Sequence, residues 1–260
     1  LSGASAHPVI PERCWQGGGL GGRQVLVIGA CGALGRATAL ACAAQGATVV
    51  LLGRRVTALE KLYDDIELAG GPQPALYPMN LEGATPADMA ELATRLQEAL
   101  GRLDGVVYAA GRLHGLTPVE LYEPEEWLRT LQVGLNAPFL LLQALLPLLA
   151  AAPAARVLFA LDDPGLAGRA YWGAYGVGQA ALRSLIAITG AEWSGHPMAV
   201  MGVQLAPMQS AFRSKAVVNA PAGVELVPPA RYARLLSGLL AQAPADWNGL
   251  VLDASAPPPE

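Results

Sequence analysis

Residues 24–29 (QVLVIG) form a short apolar run bounded by glycines, and the chain then passes through Gly29-Ala30-Cys31-Gly32-Ala33-Leu34-Gly35 into an alanine-rich segment, 34–45, that Gly46 stops. A run this short and this apolar suits a strand covered on both faces. The unit recurs down the chain. Residues 48–52 (TVVLL), 75–80, 104–109 (DGVVYA), 156–161 (RVLFAL) and 199–205 (AVMGVQL) read as further strands, with a short last one at 250–252. Residues 56–68, 86–100, 124–150, 172–193 and 231–241 read as helices, with 124–150 as two stretches broken near 134–138. Strands joined by helices of this length need crossover connections, and crossovers build a parallel sheet with helices on both faces. The prediction is one doubly wound α/β domain over 23–253. A flexible extension, 1–22, is expected before it and a proline-rich tail, 254–260, after it.

Composition narrows the function classes. Hydrophobic residues are 53% and charged residues 15% of the 260, so the chain can bury enough apolar surface to offset its conformational entropy. A net charge of -4 argues against a nucleic-acid binder, whose footprint is basic. Cys14, Cys31 and Cys42 are too few for a disulfide framework and read as reduced thiols of a cytoplasmic protein. The first twenty residues carry Pro8, Glu12 and Arg13 and no apolar run of leader length. The most apolar window, 133–150, contains Asn136, Pro138, Gln143 and Pro147, and is expected as a buried or subunit-interface helix, not a membrane span.

A glycine-rich turn between a first strand and its helix lets backbone approach a pyrophosphate, and the helix N-terminus offers free N–H groups and partial positive charge. Gly29, Cys31, Gly32, Leu34 and Gly35 are therefore candidate cofactor-binding residues of a Rossmann-type fold. An acidic residue at the end of the second strand would suit the ribose hydroxyls of NAD. This chain has Gly53-Arg54-Arg55, and a guanidinium suits the 2′-phosphate of NADP.

From about residue 22 to 252 the chain resembles the short-chain dehydrogenase/reductase family. The glycine turn is similar to TGxxxGxG, with Ile28 at the Thr and Ala33 at the middle Gly, and also to GxxGxxG through Gly29, Gly32 and Gly35. Asn80-Leu81 stands where the family has Asp-Leu/Val against adenine. Tyr108-Ala109-Ala110-Gly111 resembles NNAG without its asparagines, which adds Ala110 and Gly111 to the cofactor set, and Ala206-Pro207-Met208 keeps the Pro of a PG motif.

The resemblance implies chemistry resting on Ser, Tyr, Lys and Asn. In the family the Tyr hydroxyl exchanges a proton with the substrate oxygen while hydride moves to or from nicotinamide. The Lys lowers the Tyr pKa and holds the ribose, the Ser fixes the substrate oxygen, and the Asn orders a relay water. Here Tyr175 matches the Tyr, Gln179 stands at the Lys position, Asp162 at the Ser and Gly134 at the Asn, with Asn136 a shifted substitute. The only lysines, Lys61 and Lys215, cannot stand four residues beyond Tyr175 on its helix. Arg183 is two helical turns away, about 12 Å along the axis. Gln179 supplies dipoles but no charge, and an ionised Asp162 would raise the Tyr175 pKa, whereas a protonated one would donate a hydrogen bond.

Two function classes follow. One is a non-catalytic or severely impaired member that keeps dinucleotide binding, assembly or a partner; the other is an active NADP(H)-dependent oxidoreductase with Tyr175 in an altered site. The small apolar stretch 208–228 hints at an apolar ligand. Helices apolar on more than one face predict a homo-oligomer, dimer or tetramer. His114 is a loop histidine near the fourth strand, none of the three histidines has a metal-ligand partner at suitable spacing, and no metal is expected. Trp127, Trp172 and Trp193 read as core or interface aromatics.

Overall fold

A computed structural model describes residues 8–216 and 226–256. Seven parallel strands form one sheet: β1 (Gln24–Ile28), β2 (Thr48–Gly53), β3 (Ala75–Pro78), β4 (Gly105–Tyr108), β5 (Arg156–Asp162), β6 (Ala199–Leu205) and β7 (Val251–Ala254). Their order is β3-β2-β1-β4-β5-β6-β7. Direction of growth reverses between β1 and β4, which opens a crevice at their carboxyl ends. In register, Val27 pairs with Leu51 on one side and Val107 on the other.

The chain begins in a short helix, α1 (Glu12–Trp15), and the crossovers are α2 (Ala33–Ala44), α3 (Val56–Leu68) and α4 (Pro86–Leu100). After β4 come α5 (Pro124–Leu131) and α6 (Ala137–Ala150); after β5, α7 (Pro164–Ala167) and α8 (Gly173–Glu192); after β6, α9 (Ala211–Ser214) and α10 (Pro229–Gln242). Each face of the sheet carries its own core. Val25, Val27, Leu51 and Leu158 pack with Leu59, Leu235 and Leu239 on one side. Leu26, Ile28, Val106 and Phe159 pack with Leu92, Leu145 and Ile186 on the other. Thr85 and Asp88 form a reciprocal capping box that starts α4 where Pro86 was expected in the first turn, and Gly101 ends it in the left-handed conformation.

Three features differ from the sequence reading. Residues 8–22, expected as a flexible extension, are packed: Cys14 and Leu20 are buried, Gly18 N–H donates to Gln45 Oε1 at 2.7 Å, and Gln242 Nε2 donates to the Gly17 carbonyl at 2.8 Å. The apolar residues scattered among those glycines found a groove on α10, beyond the reach of local pattern. Residues 124–150 do not break. A π turn, Gln132–Asn136, joins α5 to α6 and absorbs the hydrogen-bond mismatch before Pro138, which has no N–H to give. The resulting rod is long and apolar enough to cross a membrane by length and composition, but Leu141, Leu142, Leu145, Leu148 and Leu149 lie in the domain core. The last strand ends at Ala254, one residue inside the expected tail, of which 257–260 lie outside the described residues.

Candidate active site

The crevice at the β1/β4 switch point is a cleft of about 370 Å³, in the range of small-molecule sites. Gly29, Cys31, Gly32, Leu34, Arg54, Asn80, Leu81, Ala110, Gly111, Asp162, Tyr175 and Gln179 all line it. Gly35 does not face the cleft; it lets helix meet turn. A Cβ there would stand 2.2 Å from the Gly29 carbonyl oxygen, so α2 can sit on the turn only if residue 35 is glycine. Gly29 has φ 82°, and a Cβ on it would meet the Ala109–Ala110 backbone at 2.8–2.9 Å. Gly32 caps α2 without a side-chain partner, so the N-terminal N–H groups of that helix stay available at the cleft wall.

Arg54 reaches the cleft from the end of β2. Its Nη1 lies 2.8 Å from Glu82 Oε1, and its side chain is 63% exposed. Glu82 also meets Arg112 Nη1 at 3.1 Å, and Arg112 pairs in turn with Glu126. Glu82 is a carboxylate that the stretch after β2 does not contain: it arrives from the loop after β3, immediately behind Asn80-Leu81. Arg55 turns back to the glycine turn and donates to the Cys31 carbonyl at 3.0 Å. Asn80 accepts from the Glu82 N–H at 3.2 Å.

At the other end, β5 delivers Asp162 and α8 delivers Tyr175 and Gln179, four residues apart on one helix face. The Tyr175 hydroxyl donates to Asp162 Oδ2 at 2.8 Å. Gln179 Oε1 accepts from the Asp162 backbone N–H at 2.8 Å, so its oxygen is committed to the strand end. Arg183, though two turns along the helix, donates to the Asp162 carbonyl at 2.6 Å and to Gln204 Oε1 at 3.1 Å. Its long side chain covers the axial distance that its backbone does not.

A residue that sequence analysis did not single out completes the cluster. Arg213 on α9 places Nη1 3.5 Å from Asp162 Oδ2, and its guanidinium lies over the Trp172 ring, 5.6 Å from the centroid. Trp172 in turn sits 5.7 Å from the Tyr175 ring, and Phe212 sits 5.3 Å from it. Burial raises the Asp162 carboxyl above the ordinary carboxylate value, opposed by Arg213 and by the Tyr175 hydrogen bond. Burial and then the Asp162 charge push Tyr175 well above the usual tyrosine value.

Several candidates lie elsewhere. Asn136 is exposed and donates to Gln132 Oε1 at 3.1 Å, so it does not reach the cleft. Gly134, by contrast, sits in the π turn with nothing within 4 Å of where its Cβ would stand, and lines a small cavity that Tyr175 and Gln179 also line. The carbonyl of Val133 beside it accepts from the buried Tyr108 hydroxyl at 2.5 Å, which pins the π turn to β4. His114 Nδ1 stands 3.2 Å from Glu126 and is largely exposed. No cluster of metal-ligating side chains occurs among the described residues. Trp193 is buried in the core, and Trp127 meets Tyr122 edge-on.

A parallel sheet with a glycine turn at its switch point, and a Tyr facing the cleft from the helix after β5, define a Rossmann-type oxidoreductase architecture. Residues 23–220 match the short chain dehydrogenase family model, and the chain belongs to the short-chain dehydrogenase/reductase family. It is similar to the uncharacterized oxidoreductase YciK of Escherichia coli K12, 37% identical over 174 residues, covering 67% of this chain and 69% of that protein. A crystal structure of the short chain dehydrogenase from Shigella flexneri superposes with a TM-score of 0.86 at 30% identity, covering 96% of both chains. Another, from Escherichia coli CFT073 in complex with NADPH, gives a TM-score of 0.85 at 32% identity over 94% of this chain and 99% of that one.

Proposed function

We propose that this chain is a cytoplasmic, NADP(H)-binding member of its family in which ordinary carbonyl reduction is lost or severely impaired. The cofactor reading rests on this chain's own groups. The open N–H groups at the start of α2 suit a pyrophosphate, the Gly29–Gly35 contact lets backbone come close to it, and Arg54 suits a 2′-phosphate. NADP(H), when bound, supplies or accepts the hydride. The NADPH complex of the Escherichia coli CFT073 structure supports the same choice.

One observation carries the impaired reading: the Tyr175 hydroxyl is spent on Asp162, and the neighbouring position on its helix is a glutamine whose oxygen is spent on the Asp162 N–H. A tyrosine gives up its proton at neutral pH only if a cation lowers its pKa, and here burial and a carboxylate raise it. Gly134, at the position where the family's Asn orders a relay water, has no side chain to order one. NADPH binding followed by fluorescence, paired with a turnover assay on ketones, aldehydes and quinones, tests both halves: binding without turnover is expected.

The same hydrogen bond favours a second reading. With Asp162 ionised, Tyr175 can accept a proton from a substrate alcohol while passing its own to Asp162, so the pair would act as a base for oxidation. Turnover of alcohols with NADP that Asp162→Asn abolishes would select it. The ligand on either reading is small, and a homo-oligomer built on α6 and α8 fits the apolar residues those helices leave uncovered.

A further inference from the structure

Arg213 is a charge in the cleft to which the chemistry proposed above gives no role. Its side chain is only 7% exposed, yet among the described residues its guanidinium makes no hydrogen bond. Among the described residues its charged partner is Asp162, at 3.5 Å, and its backbone N–H donates to Ser210 Oγ at 3.1 Å. One ion pair and one ring face hold the guanidinium, so the rest of its five N–H donors are left for a ligand in the cleft that it lines. The Trp172 ring face supports the guanidinium by a cation–π contact, 5.6 Å from the ring centroid. Arg213 also lines the cleft that Tyr175 and Asp162 line, with Leu113, Met208 and Phe212 as apolar wall and Lys215 near the mouth.

We infer that Arg213 is an anchor for the carboxylate of a short oxo acid or hydroxy acid whose oxygen lies against Tyr175. Contacts of 2.8 Å from Tyr175 to Asp162 and 3.5 Å from Asp162 to Arg213 put the two recognition points close enough for a compound with its carboxylate one or two carbons from the reacting carbon. A planar guanidinium meets a carboxylate with two parallel hydrogen bonds. Asp162 opposes an anion only in its charged form, and Lys215 adds a second cation to the cleft lining beside Arg213. The apolar-ligand expectation from residues 208–228 is thereby narrowed: an apolar body with one anionic end. The inference rests on the cleft being the ligand site, as proposed above, but not on turnover.

Calorimetric titration of the full chain with pyruvate, acetoacetate and the methyl ester of each, with and without NADPH, is the test. At least one acid is expected to bind tenfold or more tighter than its ester, and Arg213→Met to bring that acid down to the affinity of the ester. Acid and ester binding within twofold for both pairs would overturn the anchor, as would an acid preference that survives Arg213→Met. The wild-type comparison stands even if the variant does not fold. Loss of NADPH binding counts against the cofactor reading alone, because the acid-to-ester ratio is also read without dinucleotide.

Discussion

The Tyr175 hydroxyl and Asp162 Oδ2 stand 2.8 Å apart at the base of the cleft, with Arg213 behind the carboxylate and no lysine on the tyrosine's helix face. The hydrogen bond ties the two groups together: the Tyr175 hydroxyl works to lower the Asp162 carboxyl, and Asp162 raises the tyrosine.

Asp162 should therefore leave a mark on stability against pH. Its folded pKa is raised, so the favourable share it contributes is complete below its unfolded value of 3.8 and is lost as pH rises through the folded value. In Asp162→Asn that loss is absent. Thermal melts of both proteins from pH 3.5 to 8 should show the wild type falling relative to the variant as pH rises. A constant difference across the range would mean that the carboxyl titrates alike in both states.

The Arg54–Glu82 pair predicts how dinucleotide preference responds to substitution. The 2′-phosphate must compete with Glu82 for the guanidinium. Glu82→Gln should tighten NADPH binding by roughly two- to fivefold, the scale of an exposed ion pair, while NADH changes less. Arg54→Asp should weaken NADPH by about tenfold, the loss of one charge-assisted contact, and relatively favour NADH. Fluorescence titration with each dinucleotide checks this, and tighter NADH than NADPH binding by the unmutated protein would contradict it.

Assembly is the third expectation. Phe139, Leu146, Val177 and Ile188 are exposed apolar residues on α6 and α8, the two helices whose sequence is apolar on more than one face. An isologous dimer, or a tetramer built from it, would cover them. Light scattering at micromolar concentration should give an even multiple of 26.8 kDa, and Val177→Glu with Ile188→Glu should shift it toward the monomer. A monomeric wild type would sink the expectation.

How far the sequence could be read depends on the range of the interactions. The sheet and its helices were legible because burial on two faces writes continuous apolar runs, and the turn at 29–35 was legible because only glycine fits where helix and strand backbones touch. Asp162, Tyr175 and Gln179 were found through the family resemblance, whose Tyr and Lys positions stand four residues apart and whose Ser position lies thirteen residues before the Tyr. Glu82 and Arg213 were not, since each enters the cleft from a loop or short helix far along the chain, and nothing local marks its direction. The fit of residues 8–22 onto α10 was hidden for the same reason. The run 124–150 misled because Pro138 looks like a break, whereas one π turn absorbs it.

Restoration of the missing groups tests the impaired reading from the other side. Gly134→Asn has room at its Cβ, and Gln179→Lys would place a cation beside Tyr175. Combined with Asp162→Ser, these changes should lower the Tyr175 pKa and recover some ketone reduction, since general acid–base catalysis contributes typically about 10²–10⁴-fold. Single changes should recover little, because the groups act as a unit.

The central claim is tested most directly in the unmutated protein, by following NADPH absorbance with a panel of ketones, aldehydes and quinones while the same sample is shown by fluorescence to bind NADPH. The account predicts binding and no oxidation above background. Robust NADPH oxidation that disappears on Tyr175→Phe would show a working site and contradict it.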